Sequence, residues 1–277
     1  MNDAQGADVT DQDMGSWSTL AGLRAAIRSG AFTGHTAGLA PGKLQCNIAI
    51  LPEAYALDFL RFCLRNPKPC PIVGIGETGD PALPTLGPDI DICNDLPRYR
   101  LYQDGQFAEE VTDIAAHWRD DMVTVALGCS FTFERALMAA GIPMRHVEQN
   151  LTVPMYRTSL PLVRGNMFGG TMVVSMRPLR GGDVPRAVEI CAKYPHAHGA
   201  PVHVGDPAAI GVTDLDVPDW GQAVHMRPDE VPVFWACGVT SQNALLSAGI
   251  PLVITHAPGH MLISDIDEDA AQPVPKP

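Results

Sequence analysis

The residues best suited to chemistry stand in two similar stretches 108 positions apart. Val123-Thr-Val-Ala-Leu-Gly-Cys-Ser-Phe-Thr-Phe-Glu-Arg-Ala-Leu-Met-Ala-Ala-Gly-Ile-Pro143 aligns without a gap on Val231-Pro-Val-Phe-Trp-Ala-Cys-Gly-Val-Thr-Ser-Gln-Asn-Ala-Leu-Leu-Ser-Ala-Gly-Ile-Pro251, with ten of the 21 positions identical. The match pairs Cys129 with Cys237 and Thr132 with Thr240. Each copy reads as an apolar strand, a small polar turn, a helix, a glycine stop and a second strand. A thiol in such a turn sits at the positive end of a helix dipole, which favours the thiolate. Two such turns would bring Cys129 and Cys237 to one cleft, with Ser130 and Thr240 beside them and backbone N–H groups for an oxyanion.

Four further clusters carry acid, base and anion-binding groups. Arg145-His146-Val147-Glu148-Gln149-Asn150 follows the first helix and reads as a strand whose alternate side chains return to the turn. Arg157 is suited to clamp a carboxylate. His203 and Asp206 fall on a short strand and its exit turn before Pro207. His256 and His260 follow the second helix, where the first copy has its Glu148 region. This makes His146, Glu148, His203 and Asp206 the candidate acid–base groups, with Cys129 and Cys237. Arg157, Ser130, Thr240 and His256 are the candidate substrate contacts.

A metal at His196, His198 and His203, or at His256 and His260, is the lesser reading. Pro258-Gly259 breaks any helix between the last two, and neither HExxH nor an established zinc spacing occurs. No metal or cofactor is therefore assigned. There is no GxxxxGK[ST] phosphate loop and no GxSxG elbow. Gly74-Ile-Gly76-Glu-Thr-Gly79 resembles a dinucleotide loop, but Asp80-Pro81 follows and no helix opens there.

The elements that must position these groups alternate between strand and helix. Helical spacing covers Trp17–Ser29, Glu53–Arg65 and Val184–Lys193, and apolar strands cover Leu44–Leu51, Cys70–Gly76 and Met172–Met176. Asp104-Gly105 between two short apolar runs predicts a hairpin. The expected fold class is α/β, as two interlocked pseudo-symmetric lobes built on a repeated β-turn-α-β unit (123–143 and 231–251). Residues 16–265 read as one two-lobed domain between tails at 1–15 and 266–277. The 25 prolines, about 9% where about 5% is usual, mark many fixed turns.

Composition excludes several partners. The 277 residues carry 19 Lys and Arg against 31 Asp and Glu, and eight of those acids stand in the first and last thirteen positions. A nucleic-acid or anionic-membrane binder needs a basic face, which this balance does not supply. No apolar run reaches a membrane span, and the first residues lack the pattern of a signal peptide. Seven scattered cysteines without a CxxC pair do not form a disulfide framework. A cytoplasmic protein with a small carboxylic or amino-acid substrate is the expectation.

Long motifs then give the chain a resemblance. Gly128-Cys-Ser-Phe-Thr-Phe-Glu134, Val153-Pro-Met-Tyr-Arg-Thr158, Val173-Val-Ser-Met-Arg-Pro178, His198-Gly-Ala-Pro-Val-His-Val-Gly-Asp-Pro207, Val231-Pro-Val-Phe-Trp-Ala-Cys-Gly-Val-Thr240 and Ile254-Thr-His-Ala-Pro-Gly-His-Met261 resemble the "putative hydro-lyase" family, also called the D-glutamate cyclase family. The resemblance extends back to Phe32-Thr-Gly-His-Thr-Ala-Gly-Leu-Ala-Pro41 and so covers nearly the whole chain. It implies a cytoplasmic α/β protein and a carbon–oxygen lyase, and with no cofactor motif in the sequence the expected enzyme is a cofactor-independent lyase of a small amino or hydroxy acid. In the cyclase branch, D-glutamate loses water to give 5-oxo-D-proline. The chain departs from the family pattern at Asn94, Ser241 and Trp220-Gly-Gln222, where Thr, Pro and Tyr-Gly-Asp are usual; the last removes a carboxylate. Two other readings stand beside the lyase. One is a two-cysteine racemase or epimerase, in which one thiolate removes the α-proton and the second thiol returns one. The other is a non-catalytic protein that binds a small carboxylate.

Overall fold

The structure, a computed structural model, describes residues 19–149 and 151–268. Thr19 accepts the Gly22 N–H at 3.1 Å and opens α1 (Leu20–Arg28), which buries Leu23, Ala26 and Ile27. β1 (Lys43–Pro52) is buried from Leu44 onward, and Pro52 passes the chain into α2 (Glu53–Arg65). Asn66-Pro67 ends α2, because the residue before a proline is pushed out of the helical region. The short β2 (Ile72–Ile75) follows. β3 (Tyr99–Gln103) and β4 (Gln106–Val111) meet at Asp104-Gly105. Both turn residues have positive φ, 47° and 78°, as a two-residue hairpin requires.

β5 (Met122–Gly128) leads into α3 (Phe131–Ala139) and the single turn α4 (Arg145–Glu148). β6 (Met155–Pro161), β7 (Thr171–Arg180), α5 (Val184–Cys191) and the two-residue β8 (His203–Val204) come next. β9 (Glu230–Ala236), α6 (Val239–Ser247), β10 (Val253–His256) and β11 (Leu262–Asp267) complete the described chain.

The class is mixed α/β with two antiparallel sheets. The larger has the order β2-β5-β1-β10-β3-β4, and the smaller β6-β7-β9-β8. β5 pairs with one edge of β1 from Cys46 to Pro52. The other edge is shared: β10 takes Ala49 and Ile50, and β11 takes Lys43, Gln45 and Cys46.

The helices fill the space between the sheets, and they do so crosswise. α3 follows β5 of the larger sheet, yet its Phe133 and Leu137 pack on Leu179, Val233 and Trp235 of the smaller one. α6 follows β9 of the smaller sheet, yet its Ala244 and Leu245 pack on Ala49, Leu51, Val125 and Leu127 of the larger one. Each buried Val, Leu or Phe among them contributes about 1.5–3 kcal/mol by leaving water. The opposite faces of the sheets are covered by loops, with Leu86, Ile90 and Ile92 against the larger and Ile210 and Val212 against the smaller.

Two expectations change. Residues Arg145–Glu148 form a helical turn, not a strand, so only the second copy of the strand–turn–helix pattern is followed directly by a strand, β10. The reason is tertiary: the Arg145 guanidinium is buried against the Glu230 carboxylate of β9, which draws this segment inward. Residues 266 and 267, expected in a tail, continue the sheet as the end of β11, and Glu268 N donates to Gly42 O at 2.9 Å. The expected tail at 1–15, Trp17-Ser18 of the first helix and residues 269–277 lie outside the described residues.

Candidate active site

The two cysteine turns are built alike. Thr132 N donates to Cys129 O at 3.2 Å, and Thr240 N to Cys237 O at 3.0 Å. The residue after each thiol, Ser130 or Gly238, already has helical dihedrals. Strand β1 runs past both. Its alternation puts Gln45 and Asn47 on the same face as Ala49 and Leu51, toward the helices. Asn47 Nδ2 donates to Gly128 O at 2.8 Å, beside the first turn.

Arg177 is the electrostatic centre. It lies on the helix-facing side of β7 and is fully buried. Its Nε donates to Glu134 Oε1 at 3.0 Å, its Nη1 to Ser175 Oγ at 2.9 Å and its Nη2 to Ser130 Oγ at 3.1 Å and again to Glu134. Its guanidinium stands 5.2 Å from the Phe133 ring centre and 5.3 Å from that of Trp235. His146 Nε2 is 3.1 Å from the same Glu134 oxygen. Burial alone would push the Glu134 carboxyl up, but the Arg177 guanidinium and His146 outweigh it and hold the group down at about 2. Glu134 is thus a fixed anion facing His146.

A cleft of about 1190 Å³ opens beside this cluster. Thr132 and Glu134 of α3, His146 of α4 and Gln45 of β1 line it, together with the loop 32–41. His35 and His260 also line it, their rings edge to face at 4.8 Å. Burial lowers the pKa of both, His260 to about 4, so both are neutral at pH 7. Gln222, in the position where the family pattern has Asp, is another lining residue.

The sequence candidates fall into three groups. His146 lines the cleft, and Ser130 is hydrogen-bonded to Arg177. Cys129, Cys237, Thr240 and His256 lie close by but do not line it. Thr240 Oγ1 accepts from Val173 N at 3.0 Å and donates to Val173 O at 3.2 Å, pinning α6 to β7. His256 is buried, accepts the Ile48 N–H on Nδ1 at 3.1 Å, and is pushed down to about 4 by burial. Glu148, His203, Asp206 and Arg157 do not line the cleft, although Glu148 follows its lining residue Val147. Glu148 is exposed, 3.7 Å from Arg145. His203 Nε2 donates to Asp206 O at 2.7 Å, and the Asp206 carboxylate caps the turn at Ala208 N. Arg157 lies on the surface, 3.2 Å from Asp219 and over the Trp220 ring at 4.8 Å.

The expected lowering of the thiol pKa does not occur. Burial pushes Cys129 up to about 12, with Cys237 close enough for its charge to raise it further, while the Phe131 N–H and Arg177 oppose the shift. Burial raises Cys237 as well. Desolvation outweighs the helix dipole at both positions. Sequence reasoning reaches neither Arg177 nor Gln45. The available signals are an arginine in an otherwise apolar strand and two amides, Gln45 and Asn47, at alternate positions of another. Among the described residues no group of three or more His, Cys, Asp or Glu side chains is arranged to hold a metal ion, and no helix is long and apolar enough to cross a membrane.

Comparison with known proteins agrees with the motifs. A family model described as D-glutamate cyclase matches residues 123–265, which include both cysteine turns, His146 and Arg177. A protein from Jannaschia sp. named "Putative hydro-lyase" is 64% identical over 263 residues, covering 94% of this chain and 99% of its own. Proteins of the same name from Dinoroseobacter shibae and Verminephrobacter eiseniae are 57% and 56% identical, over 93% and 88% of this chain and 86% and 89% of theirs. Among solved structures, a nitrogen repressor-like protein from Methanococcus jannaschii aligns over 83% of this chain and 90% of its own, with a TM-score of 0.38 and 11% identity, too distant to carry an argument. The chain thus belongs to the D-glutamate cyclase family, whose model matches residues 123–265, and is similar to the proteins named hydro-lyases over almost its full length.

Proposed function

We propose that this protein is a cofactor-independent carbon–oxygen lyase that removes water from a small amino or hydroxy acid, with D-glutamate the first substrate to test. The observation that carries the reading is the Glu134–His146 pair on the wall of the cleft, backed by the buried Arg177. Loss of water needs one group to accept a proton and to deliver a proton to the departing oxygen. His146 can do both, and Glu134 holds the imidazole and stabilises its cation as a buried carboxylate does.

For glutamate the steps balance without an electron acceptor. The α-ammonium gives one proton to His146, and the freed amine attacks the γ-carboxylate carbon. As the C–N bond forms, a second proton passes from nitrogen to a carboxylate oxygen; that hydroxyl leaves as water with the proton His146 returns, and the C–O bond breaks to give 5-oxoproline. In a β-hydroxy acid the same imidazole would take the carbon-bound proton and the hydroxyl would depart.

Proton NMR of the enzyme with a panel of three- to six-carbon amino and hydroxy acids tests this. Appearance of 5-oxo-D-proline, or of an unsaturated acid, that is lost in His146→Asn supports the lyase. Ligand-induced stabilisation without turnover across the panel would make it a binding protein. Deuterium entering Cα without water loss would favour the racemase, a reading the proximity of the two thiols supports and their raised pKa values oppose.

A further inference from the structure

Three buried polar atoms on the cleft residues make no hydrogen bond among the described residues: Gln45 Oε1, Thr132 Oγ1 and His146 Nε2. His146 Nε2 has the Glu134 carboxylate 3.1 Å away, which leaves Gln45 Oε1 and Thr132 Oγ1 without a partner there. The Gln45 side chain is 4% exposed. Its Nε2 donates to Thr36 O at 2.9 Å and to Leu39 O at 3.2 Å, which uses both amide protons. Turning the amide over would set its oxygen against two carbonyl oxygens, so the orientation is forced. Oε1 is therefore a pure acceptor that awaits a donor.

Thr132 makes the same point by contrast. Its counterpart Thr240, 108 residues on, has its hydroxyl engaged in both directions with the Val173 backbone, whereas Thr132 Oγ1 makes no hydrogen bond. Both threonines are buried, and Thr132 lines the cleft with Gln45. Register ties them together. Cys46 pairs with Gly128, so Gln45 lies beside the turn that opens α3 and carries Thr132 into the cleft wall.

We infer that Gln45 and Thr132 are specificity-determining residues that bind the amino or hydroxyl group of the substrate, so that the cleft selects acids bearing a hydrogen-bond donor over their oxo and unsubstituted counterparts. The inference rests on the reading of the cleft as a small-acid site. An amino group, as ammonium, satisfies Gln45 Oε1 through a charge-assisted bond, and a hydroxyl satisfies it as a neutral donor. A 2-oxo group presents only acceptors, and a methylene presents nothing. The Thr132 hydroxyl can donate to a 2-oxo oxygen, but Gln45 Oε1 is then left unsatisfied, and a methylene leaves both groups unsatisfied; such a mismatch gives strong discrimination.

The test compares D-glutamate, D-2-hydroxyglutarate, 2-oxoglutarate and glutarate by calorimetry and by ligand-induced shift in Tm, with turnover followed by NMR. The wild-type protein is expected to bind the first two about tenfold or more tightly than the last two. Thr132→Val, which keeps the shape, and Gln45→Met should each bring that ratio below about threefold, and Thr132→Ser should restore it. A loosened 32–41 loop in Gln45→Met weakens all four acids alike and leaves the ratio untouched, so the ratio separates recognition from a structural role. Equal binding of the four acids, or a ratio unchanged in both variants, overturns the inference while the lyase stands. Discrimination without turnover of any acid upholds the inference and removes the lyase. If none of the four acids binds, both fail.

Discussion

The Asn47 side chain occupies the space that a side chain at Gly238 would need. A Cβ on Gly238 would lie 2.5 Å from Asn47 Nδ2, the same nitrogen that donates to Gly128 O. One amide on β1 thus locks the turn after β5 to the turn after β9. Gly238→Ala should destabilise the protein by about 1–3 kcal/mol, the usual cost of overpacking, as measured by urea unfolding. Asn47→Ala opens the space, so the double variant should lose less than the sum of the two singles. Gly128→Ala has no such remedy, because its Cβ would overlap the His196 carbonyl oxygen, and it should fail to fold.

Glu134→Gln removes the anion that Arg177 and His146 face. Breaking a buried pair leaves the guanidinium uncompensated, and a loss of about 3–5 kcal/mol is expected in the same assay. His146→Asn removes a buried imidazole facing Glu134, so it should cost about 1–3 kcal/mol of stability while leaving the protein folded, and lower turnover by about 10²–10⁴-fold. Arg157→Ala is the control: exposed and outside the cleft lining, it should alter stability by less than about 0.5 kcal/mol and leave turnover intact. A larger loss of turnover in Arg157→Ala than in His146→Asn would move the site to the surface.

The cysteine turns should be chemically quiet. With burial holding Cys129 at about 12 and raising Cys237, neither is a thiolate at pH 7.5. Iodoacetamide should modify both only after unfolding, as mass spectrometry of digests would show. Rapid alkylation of either thiol in the native protein would revive thiolate chemistry.

Acid should weaken the fold through its buried histidines. Burial lowers His198 and His256 to about 4 from an ordinary value of 6.5. The folded state keeps them neutral while the unfolded chain takes up protons below about 6.5. Their contribution is therefore complete above that pH and falls away as pH drops toward 4. At pH 5 each costs about 2 kcal/mol at most. Glu134, lowered to about 2, loses its contribution only between about 4.5 and 2, in a separate step. His198→Asn tolerates the positive φ of 74° and removes one titrating group, so its stability should depend less on pH between 7 and 5. An unchanged slope would contradict this.

Much of the local structure was legible because punctuation is local. Pro52 and Asn66-Pro67 bound α2, and Asp104-Gly105 demands the backbone that a hairpin supplies. Arg145–Glu148, three polar residues and Val147, carry no readable period, and their helical conformation follows from Glu230, 85 residues from Arg145. The site divides the same way. The thiol turns show themselves through self-similarity, and His146 through its place after the first helix. Glu134 alone looks like a favourable charge on a helix N-terminus. Its partner Arg177 is 43 residues on and reaches it from the other sheet, a relation that no spacing encodes.

The sharing of one edge of β1 between β10 and β11 has a consequence for synthesis on the ribosome. β1 emerges early, but two of its three partner strands lie between residues 253 and 267. Until residues 253–267 have left the exit tunnel, an apolar strand with Leu44, Ile48 and Ile50 keeps one edge unpaired. Such an edge invites pairing with other chains, so the nascent protein stays exposed to aggregation through the synthesis of the roughly 200 residues that separate these strands. Truncations that remove β10 and β11 should therefore yield insoluble product rather than a smaller folded unit.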